Sequence, residues 1–133
     1  MLNTQTRYAI DPATAKTLDT DQLRDHFHVD GLFADGEIKL IYSHYDRLIL
    51  GSAVPGAGTL TLDKVAETGT ATFLERREMA VLNVGGTGTV TTGGKVYTLE
   101  KGEVVYIGMG AGPVAFAGAG RFYILSAPAH RTC

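Results

Sequence analysis

The residues best suited to chemistry form a short charged run, Glu75-Arg76-Arg77-Glu78, followed by an apolar stretch at 79–84 and by paired glycines. An arginine guanidinium can bind a carboxylate through two parallel hydrogen bonds, so the run is suited to an acidic ligand. His44 and Arg47, at the edge of a predicted strand, can join the same cluster. The alternative is an ion-paired strand entrance, because most surface charge is simply solvated. The candidate binding residues are His44, Arg47, Glu75 and Arg76; no catalytic residue is assigned.

Other groups of reactive residue types fit structural roles better. His26 and His28 form an H-x-H pair, but on the helix predicted there residues i and i+2 diverge by roughly 200°, so we expect partly exposed helix-end histidines. The glycine-rich stretch 108–112 is followed by Pro113 and a strand pattern, which favours a loop over a nucleotide-binding turn. Neither a G-x-S-x-G nor an H-E-x-x-H motif occurs.

Composition sets the broad class of the protein. The 133 residues are enough for one domain with one core, and the net charge of -2 argues against nucleic-acid and polybasic membrane partners. The one cysteine, Cys133, excludes a disulfide framework and is predicted to be a frayed terminal residue in a reducing compartment. Without a signal-like start or an apolar run of about 18 residues, we expect a cytoplasmic protein.

The elements that must position the charged run are predicted to be short strands behind one helix. Residues 1–17 are polar and are predicted as an N-terminal arm. Asp19 and Gln22 can form a capping box for a helix to about His28, with Leu23 and Phe27 on its buried face. Residues 63–71 are predicted as a loop or sheet edge. Strands with glycine-rich turns are predicted at 37–42, 47–50, 59–62, 79–84, 87–91, 96–99, 104–107, 114–116 and 121–125.

This pattern predicts a mainly β domain over residues 18–133, an antiparallel jelly-roll barrel or sandwich with a short N-terminal helix. Two spacings within it resemble the two sequence motifs of cupins. Glu78 is separated from Gly85 by six residues, and the second spacing runs through Gly94, Glu100, Gly102 and Val105. The histidine positions hold residues 71–74 in the first motif and Val105 in the second. The cupin resemblance therefore predicts the fold without metal ligands in this chain.

A more specific resemblance covers the chain from about residue 7 to residue 130. The stretches that carry it are Ala15-Lys16-Thr17-Leu18-Asp19-Thr20, Leu23-Arg24, Tyr42-Ser43-His44, Asp46-Arg47, Phe73-Leu74-Glu75-Arg76-Arg77-Glu78 and Ala127-Pro128-Ala129-His130. Over these stretches the chain is similar to the 5-keto-4-deoxyuronate isomerase family, also called 4-deoxy-L-threo-5-hexosulose-uronate ketol-isomerase, which acts in pectin breakdown. Members of that family are about twice as long and contain two cupin-like halves, so the resemblance implies an N-terminal half.

The resemblance implies an aldose–ketose type isomerisation in uronate metabolism. A base removes a proton next to a carbonyl, and the resulting enediol(ate) is reprotonated at the neighbouring carbon. The family further implies a zinc ion held in the second half, a sugar-acid substrate and a homohexamer. This chain alone is then expected to hold no cofactor and to be inactive. The alternative is a free-standing, metal-less cupin-like module that binds a sugar acid or serves assembly.

Overall fold

Strands dominate the structure, a computed structural model that describes residues 2–65, 68 and 70–130. Within these residues there are ten strands and two helices. In chain order they are β1 (Leu2–Arg7), α1 (Pro12–Ala15), α2 (Thr20–Phe27), β2 (Ile38–Ser43), β3 (Ile49–Ala53), β4 (Thr59–Leu62), β5 (Arg77–Asn83), β6 (Gly88–Thr92), β7 (Lys95–Leu99), β8 (Val104–Ile107), β9 (Val114–Gly118) and β10 (Phe122–Pro128).

The strands form two sheets that remain open at their edges. One has six strands in the order β1-β2-β3-β10-β5-β8, and the other has four in the order β4-β9-β6-β7. The β1–β2 pair is parallel, whereas the other pairs are antiparallel. The buried core draws side chains from both sheets, including Phe116 of β9 and Phe122 of β10, whose ring centroids are 5.4 Å apart. The predicted mainly β sandwich is confirmed.

The turn between β6 and β7 is the sharpest local prediction that the structure bears out. Gly93 and Gly94 form the two-residue connection, with φ angles of 58° and 78°. Positive φ at both central residues defines the hairpin turn whose twist matches that of the strands, and glycine adopts it without steric cost. The register from Gly88↔Leu99 to Thr92↔Lys95 follows from this turn.

Helix α2 begins as predicted but packs differently. The Asp19 side chain accepts from Gln22 N at 2.9 Å and the Gln22 side chain accepts from Asp19 N at 3.0 Å, which confirms the capping box. The predicted buried face is wrong, because Leu23 is 38% exposed and Phe27 is 50% exposed. An i, i+4 spacing places two side chains on one face, but it does not provide a sheet for that face to cover.

The histidines near α2 lie where they were predicted. His26 is half-buried in the last turn, and His28 caps the helix end and is exposed, with its Nε2 4.0 Å from Asp30 Oδ2. They are partly exposed helix-end residues and not a joint site.

The N-terminal stretch is more regular than the predicted arm of residues 1–17. It contains β1, which pairs with β2 from Leu2↔Ile38 to Arg7↔Ser43, and the short helix α1. Because β1 is an edge strand with no fully buried residue in its described length, its sequence shows no clear apolar alternation. Cys133 lies outside the described residues. None of the helices in the described part of the chain is long and apolar enough to cross a membrane.

Candidate functional site

A pocket of about 290 Å³ opens at one end of the six-stranded sheet. Pairing places the end of β2 beside the start of β3, and the end of β10 beside the starts of β3 and β5. The strand order therefore gathers residues that are far apart in sequence. Three of the four predicted binding residues line this pocket together with Arg77; the lining residues are Tyr42, Arg47, Thr68, Thr70, Glu75, Arg76, Arg77 and Pro128.

Arg77, the first residue of β5, holds this end of the sheet together. It is only 6% exposed, because alternation along β5 puts it on the same side as the buried residues Met79 and Val81. Its Nε donates to Ser126 Oγ at 3.1 Å, and its NH2 donates to the Ser126 carbonyl at 3.1 Å and to the Arg47 carbonyl at 2.6 Å. Its carbon Cζ also lies 5.9 Å from the Phe73 ring centroid.

The guanidinium group of Arg77 donates hydrogen bonds to these partners, but they are neutral and do not cancel its charge. Burial lowers the pKa of Arg77; Tyr42 opposes this shift, and the positive charge of Arg47 adds to it. A guanidinium nevertheless stays protonated in proteins. No carboxylate of the described residues lies within 4.0 Å of the Arg77 guanidinium. The described lining residues of the pocket carry three guanidinium groups and one carboxylate, so this part of the lining is cationic.

Arg47 is held on a strained turn between β2 and β3. Asp46 and Arg47 both have φ of 55°, a left-handed conformation that costs a non-glycine residue roughly 1–2 kcal/mol. The hydrogen bond from Arg77 to the Arg47 carbonyl and the bond from Ser43 N to the Leu48 carbonyl at 2.9 Å maintain the turn. Strain held in place by buried contacts is common at ligand sites.

Glu75 and Arg76 form the outer rim of the pocket. The Arg76 side chain is 81% exposed, and its Nε lies 3.9 Å from Glu75 Oε2, a long and solvated contact. Glu75 Oε1 accepts from Ala71 N at 3.3 Å. Adjacent arginines therefore differ in role: Arg77 is fixed in the floor, whereas Arg76 can move to meet a ligand.

The structure places His44 outside this pocket, in a neighbouring depression of about 240 Å³ lined by Thr6, Tyr8, Tyr42 and His44. The His44 ring stacks on Tyr8 with centroids 4.7 Å apart and an interplanar angle of 19°. Tyr42 lines both cavities, of which one contains His44 and the other contains the three charged candidates. Sequence alone missed Tyr8 and Tyr42, and it did not single out Arg77, although alternation traced back from Met79 would have marked Arg77 as inward-facing.

The residues at the cupin metal positions do not fit a metal centre. Phe73 and Leu74 are buried in the core, and Val105 packs against that core. Glu78 follows the inward-facing Arg77 in β5, so its side chain lies on the other face of the sheet. There it accepts a hydrogen bond from the Tyr106 hydroxyl at 2.6 Å. Across the described ranges, no group of three His, Cys, Asp or Glu side chains is arranged to hold a metal ion.

Comparison with solved structures supports the fold. The cupin domain of Cnp3 from Schizosaccharomyces pombe matches with a TM-score of 0.51 and 12% identity, over 68% of this chain and 63% of that one. At this identity the likeness concerns architecture alone, and it confirms the predicted cupin-like fold. No established protein-family model matches the chain.

Curated relatives give a closer match. A protein of Agrobacterium fabrum named 4-deoxy-L-threo-5-hexosulose-uronate ketol-isomerase is 57% identical over 132 residues, which cover 99% of this chain and 48% of that relative. A protein of the same name from Bacillus pumilus is 46% identical over 131 residues, again over 48% of its length. The chain spans about half the length of the curated relatives it matches. Over that length, as its motifs indicated, the chain is similar to proteins named 4-deoxy-L-threo-5-hexosulose-uronate ketol-isomerase.

Proposed function

We propose that this chain is the N-terminal cupin half of a ketol-isomerase that interconverts 5-keto-4-deoxyuronate and 3-deoxy-D-glycero-2,5-hexodiulosonate. The observation that carries the proposal is 57% identity to a relative of that name over 99% of this chain. The reaction moves a proton between neighbouring carbons through an enediol(ate) intermediate. Because the chain spans about half of its relatives, the proposed activity belongs to the longer protein, and this half alone is expected to be inactive.

In this proposal zinc is held by the second half, where it would polarise the substrate oxygens and stabilise developing negative charge. The residues described here do not form such a centre, so no step is assigned to a metal in this chain. What they offer is binding and orientation. We propose that the cationic pocket holds the carboxylate of the sugar acid, through Arg47 and Arg76 at its wall and above the fixed charge of Arg77.

Two physical features support a carboxylate ligand over a neutral one. The Arg77 cation is desolvated at the pocket floor without a described counter-charge, so an anion there would gain electrostatic energy that a neutral sugar would not. Arg47 and Arg77 repel one another, and a shared carboxylate would offset that repulsion. Planar guanidinium groups also match the two oxygens of a carboxylate.

The carboxylate assignment can be tested by isothermal titration calorimetry with D-galacturonate, a stable hexuronate, and with D-galactose as its neutral counterpart. We expect galacturonate to bind more tightly than galactose. Arg47→Ala should weaken galacturonate binding about tenfold or more, since a hydrogen bond to a charged group contributes roughly 1.5–3 kcal/mol. The control is Lys101→Ala, which removes one positive charge at an exposed position in the turn before β8. Equal losses in both variants would overturn the carboxylate pocket.

The isomerase proposal has its own test. The reaction of 5-keto-4-deoxyuronate should be followed with the chain of residues 1–133 and with a protein that continues into the second half. We expect turnover and zinc only in the longer protein, and a His-x-His-x4-Glu segment downstream of Cys133. Turnover by residues 1–133 alone, or about one zinc ion bound per chain of these residues, would contradict the proposal that zinc and catalysis belong to the second half.

A second candidate function is a metal-less module that binds a sugar acid or serves assembly without catalysis. The observation that favours this alternative is that apolar residues of the core or packed against it occupy positions of cupin metal ligands: Phe73, Leu74 and Val105. A stop codon directly after Cys133, together with galacturonate binding and no turnover, would support this alternative over the isomerase.

The same proposal includes a homo-oligomer, a hexamer by the family resemblance. The outer face of the six-stranded sheet supports it, because Val104 and Tyr106 of β8 and Leu125 of β10 expose large apolar surfaces there. Contiguous exposed apolar side chains are typical of surfaces that bind another protein. We propose that further copies of the chain cover this face.

A further inference from the structure

We propose that the sugar-acid site extends beyond the cationic pocket onto a second surface, formed by Tyr8, Tyr42, His44 and Thr6, which binds the hydroxylated carbon body of the ligand. We call this surface the aromatic shelf. The inference rests on the proposed function, since it assumes that the pocket beside the shelf takes a carboxylate. It adds a specificity element that distinguishes sugar acids from simple carboxylates.

The first argument is position. Tyr42 lines the cationic pocket of about 290 Å³ on one side and the depression of about 240 Å³ on the other. Taken together, the two cavities fall within the roughly 300–1,000 Å³ typical of small-molecule sites. Because the two linings share Tyr42, the proposal places the carboxylate of the ligand near Arg47 and its carbon body beyond Tyr42, towards His44.

The second argument is that the shelf is held in place by backbone pairing. Strands β1 and β2 run parallel with Thr6 opposite Tyr42, and the pairing continues where His44 N donates to the Arg7 carbonyl at 2.9 Å. The Tyr45 hydroxyl accepts from Ile10 N at 3.0 Å, which ties the chain after Tyr8 to the same turn. The turn that carries His44 also carries Arg47, so shelf and pocket share one support.

The third argument is chemistry. His44 stacks on Tyr8 and lies 5.2 Å from the Tyr42 ring at an angle of 51°, so the three rings form one cluster. The Tyr8 side chain is also 67% exposed, although a large aromatic side chain usually gains by being buried. Ring faces suit the C–H faces of a carbohydrate, and the imidazole, phenol and threonine groups can exchange hydrogen bonds with its hydroxyls. The chemical class that fits both surfaces is a polyhydroxylated monocarboxylic acid.

The test compares two anions that share the carboxylate but differ in the carbon body. Binding of D-galacturonate and of acetate to the purified protein should be followed by two-dimensional NMR titration. Tyr8→Ser and His44→Ala should weaken galacturonate about three- to tenfold, the range expected for loss of one ring contact, and leave acetate within about twofold. Arg47→Ala should weaken both anions.

A tyrosine outside the site provides the matched control. Tyr97 of β7 is 38% exposed and lies in the four-stranded sheet, so Tyr97→Ser should change neither affinity. Because Tyr8 is largely exposed, its variant should fold, and circular dichroism checks this. Unchanged galacturonate affinity in both shelf variants, or equal loss for both anions, overturns the shelf while the carboxylate pocket stands. Unchanged affinities in Arg47→Ala overturn the pocket itself.

Discussion

Each end of β5 carries a buried polar residue, and the two residues differ in charge and in how hydrogen bonds compensate their burial. Asn83, at the end of the strand, is 0% exposed and neutral. Its Nδ2 donates to the carbonyls of Gly86 at 2.7 Å and Leu99 at 2.8 Å, and its Oδ1 accepts from Gly85 N at 3.0 Å and Arg121 N at 3.2 Å. Each donor and acceptor of the amide is used, so nothing is left for a ligand.

Arg77, at the start of the strand, also has partners, but they are neutral. Its described hydrogen bonds go to Ser126 and to the Arg47 carbonyl, and burial together with the positive charge of Arg47 lowers its pKa. Hydrogen bonding therefore satisfies the group without cancelling its charge. The comparison teaches that a buried polar residue with complete neutral bonding marks structure, whereas a buried charge with no counter-charge among the described residues marks a candidate anion site.

The largest expected effect comes from the neutral end. Asn83→Leu keeps the number and branching of the side-chain heavy atoms but leaves two carbonyls and two N–H groups without their buried partner. At roughly 1–3 kcal/mol for each such group, partly relieved by relaxation, we expect a loss of about 3–5 kcal/mol in the free energy of unfolding. Urea unfolding followed by circular dichroism measures it.

The same variant should bind galacturonate with unchanged affinity in its folded fraction, because Asn83 lies at the opposite end of β5 from the pocket. Val84→Ala, at a partly exposed neighbouring position, is the control for local packing. If Asn83→Leu lowered the free energy of unfolding by less than about 1 kcal/mol, or lowered the affinity for galacturonate, the assignment of one structural end and one ligand-binding end to β5 would be wrong.

The charged end should show a smaller loss of stability and a larger loss of binding. Arg77→Met removes the hydrogen bonds to Ser126 and Arg47, but it also removes the cost of burying a cation, so we expect a loss of about 1–3 kcal/mol in unfolding free energy. Galacturonate affinity should fall about tenfold or more, because the fixed charge and the support of the Arg47 turn are both lost. Urea unfolding and calorimetry measure the two quantities.

Arg77→Lys separates charge from geometry at this position. Lysine keeps the positive charge but cannot reproduce the planar fork, so its galacturonate affinity should lie between those of the wild-type protein and Arg77→Met. Equal affinities for Arg77→Met and the wild-type protein would show that the buried charge has no part in binding.

Much of the fold was open to prediction because its signals are local. The glycine pair at 93–94 determines a hairpin, and Asp19 with Gln22 determines a helix start, whatever the rest of the chain does. Strand β1 lacked such a signal, since a polar edge strand is held mainly by backbone pairing with β2 and buries no apolar side chain.

The candidate site was predictable only in part, because it depends on strand order. Arg47, Glu75 and Arg76 meet since β3, β10 and β5 are neighbours, and residue types alone do not reveal that order. For the same reason His44, three residues before Arg47, could not be separated from it in advance. Tyr8 became part of the surroundings of His44 through the unforeseen strand β1.

The smallest effect on stability, and the finest test of the comparison, concerns Arg76. It has the same side chain as its neighbour Arg77 but lies at the outer rim of the pocket, with its side chain 81% exposed. Its contact with Glu75 is long and solvated, so Arg76→Ala should change the free energy of unfolding by less than about 0.5 kcal/mol. Galacturonate affinity should nevertheless fall about three- to tenfold. This loss of affinity should be smaller at roughly 0.5 M salt, because salt screens exposed charges. The loss in Arg77→Met should persist at that salt concentration, because a buried charge is screened much less. If the two variants responded alike to salt, burial would not distinguish the two arginines, and the pocket would be an ordinary patch of surface charge.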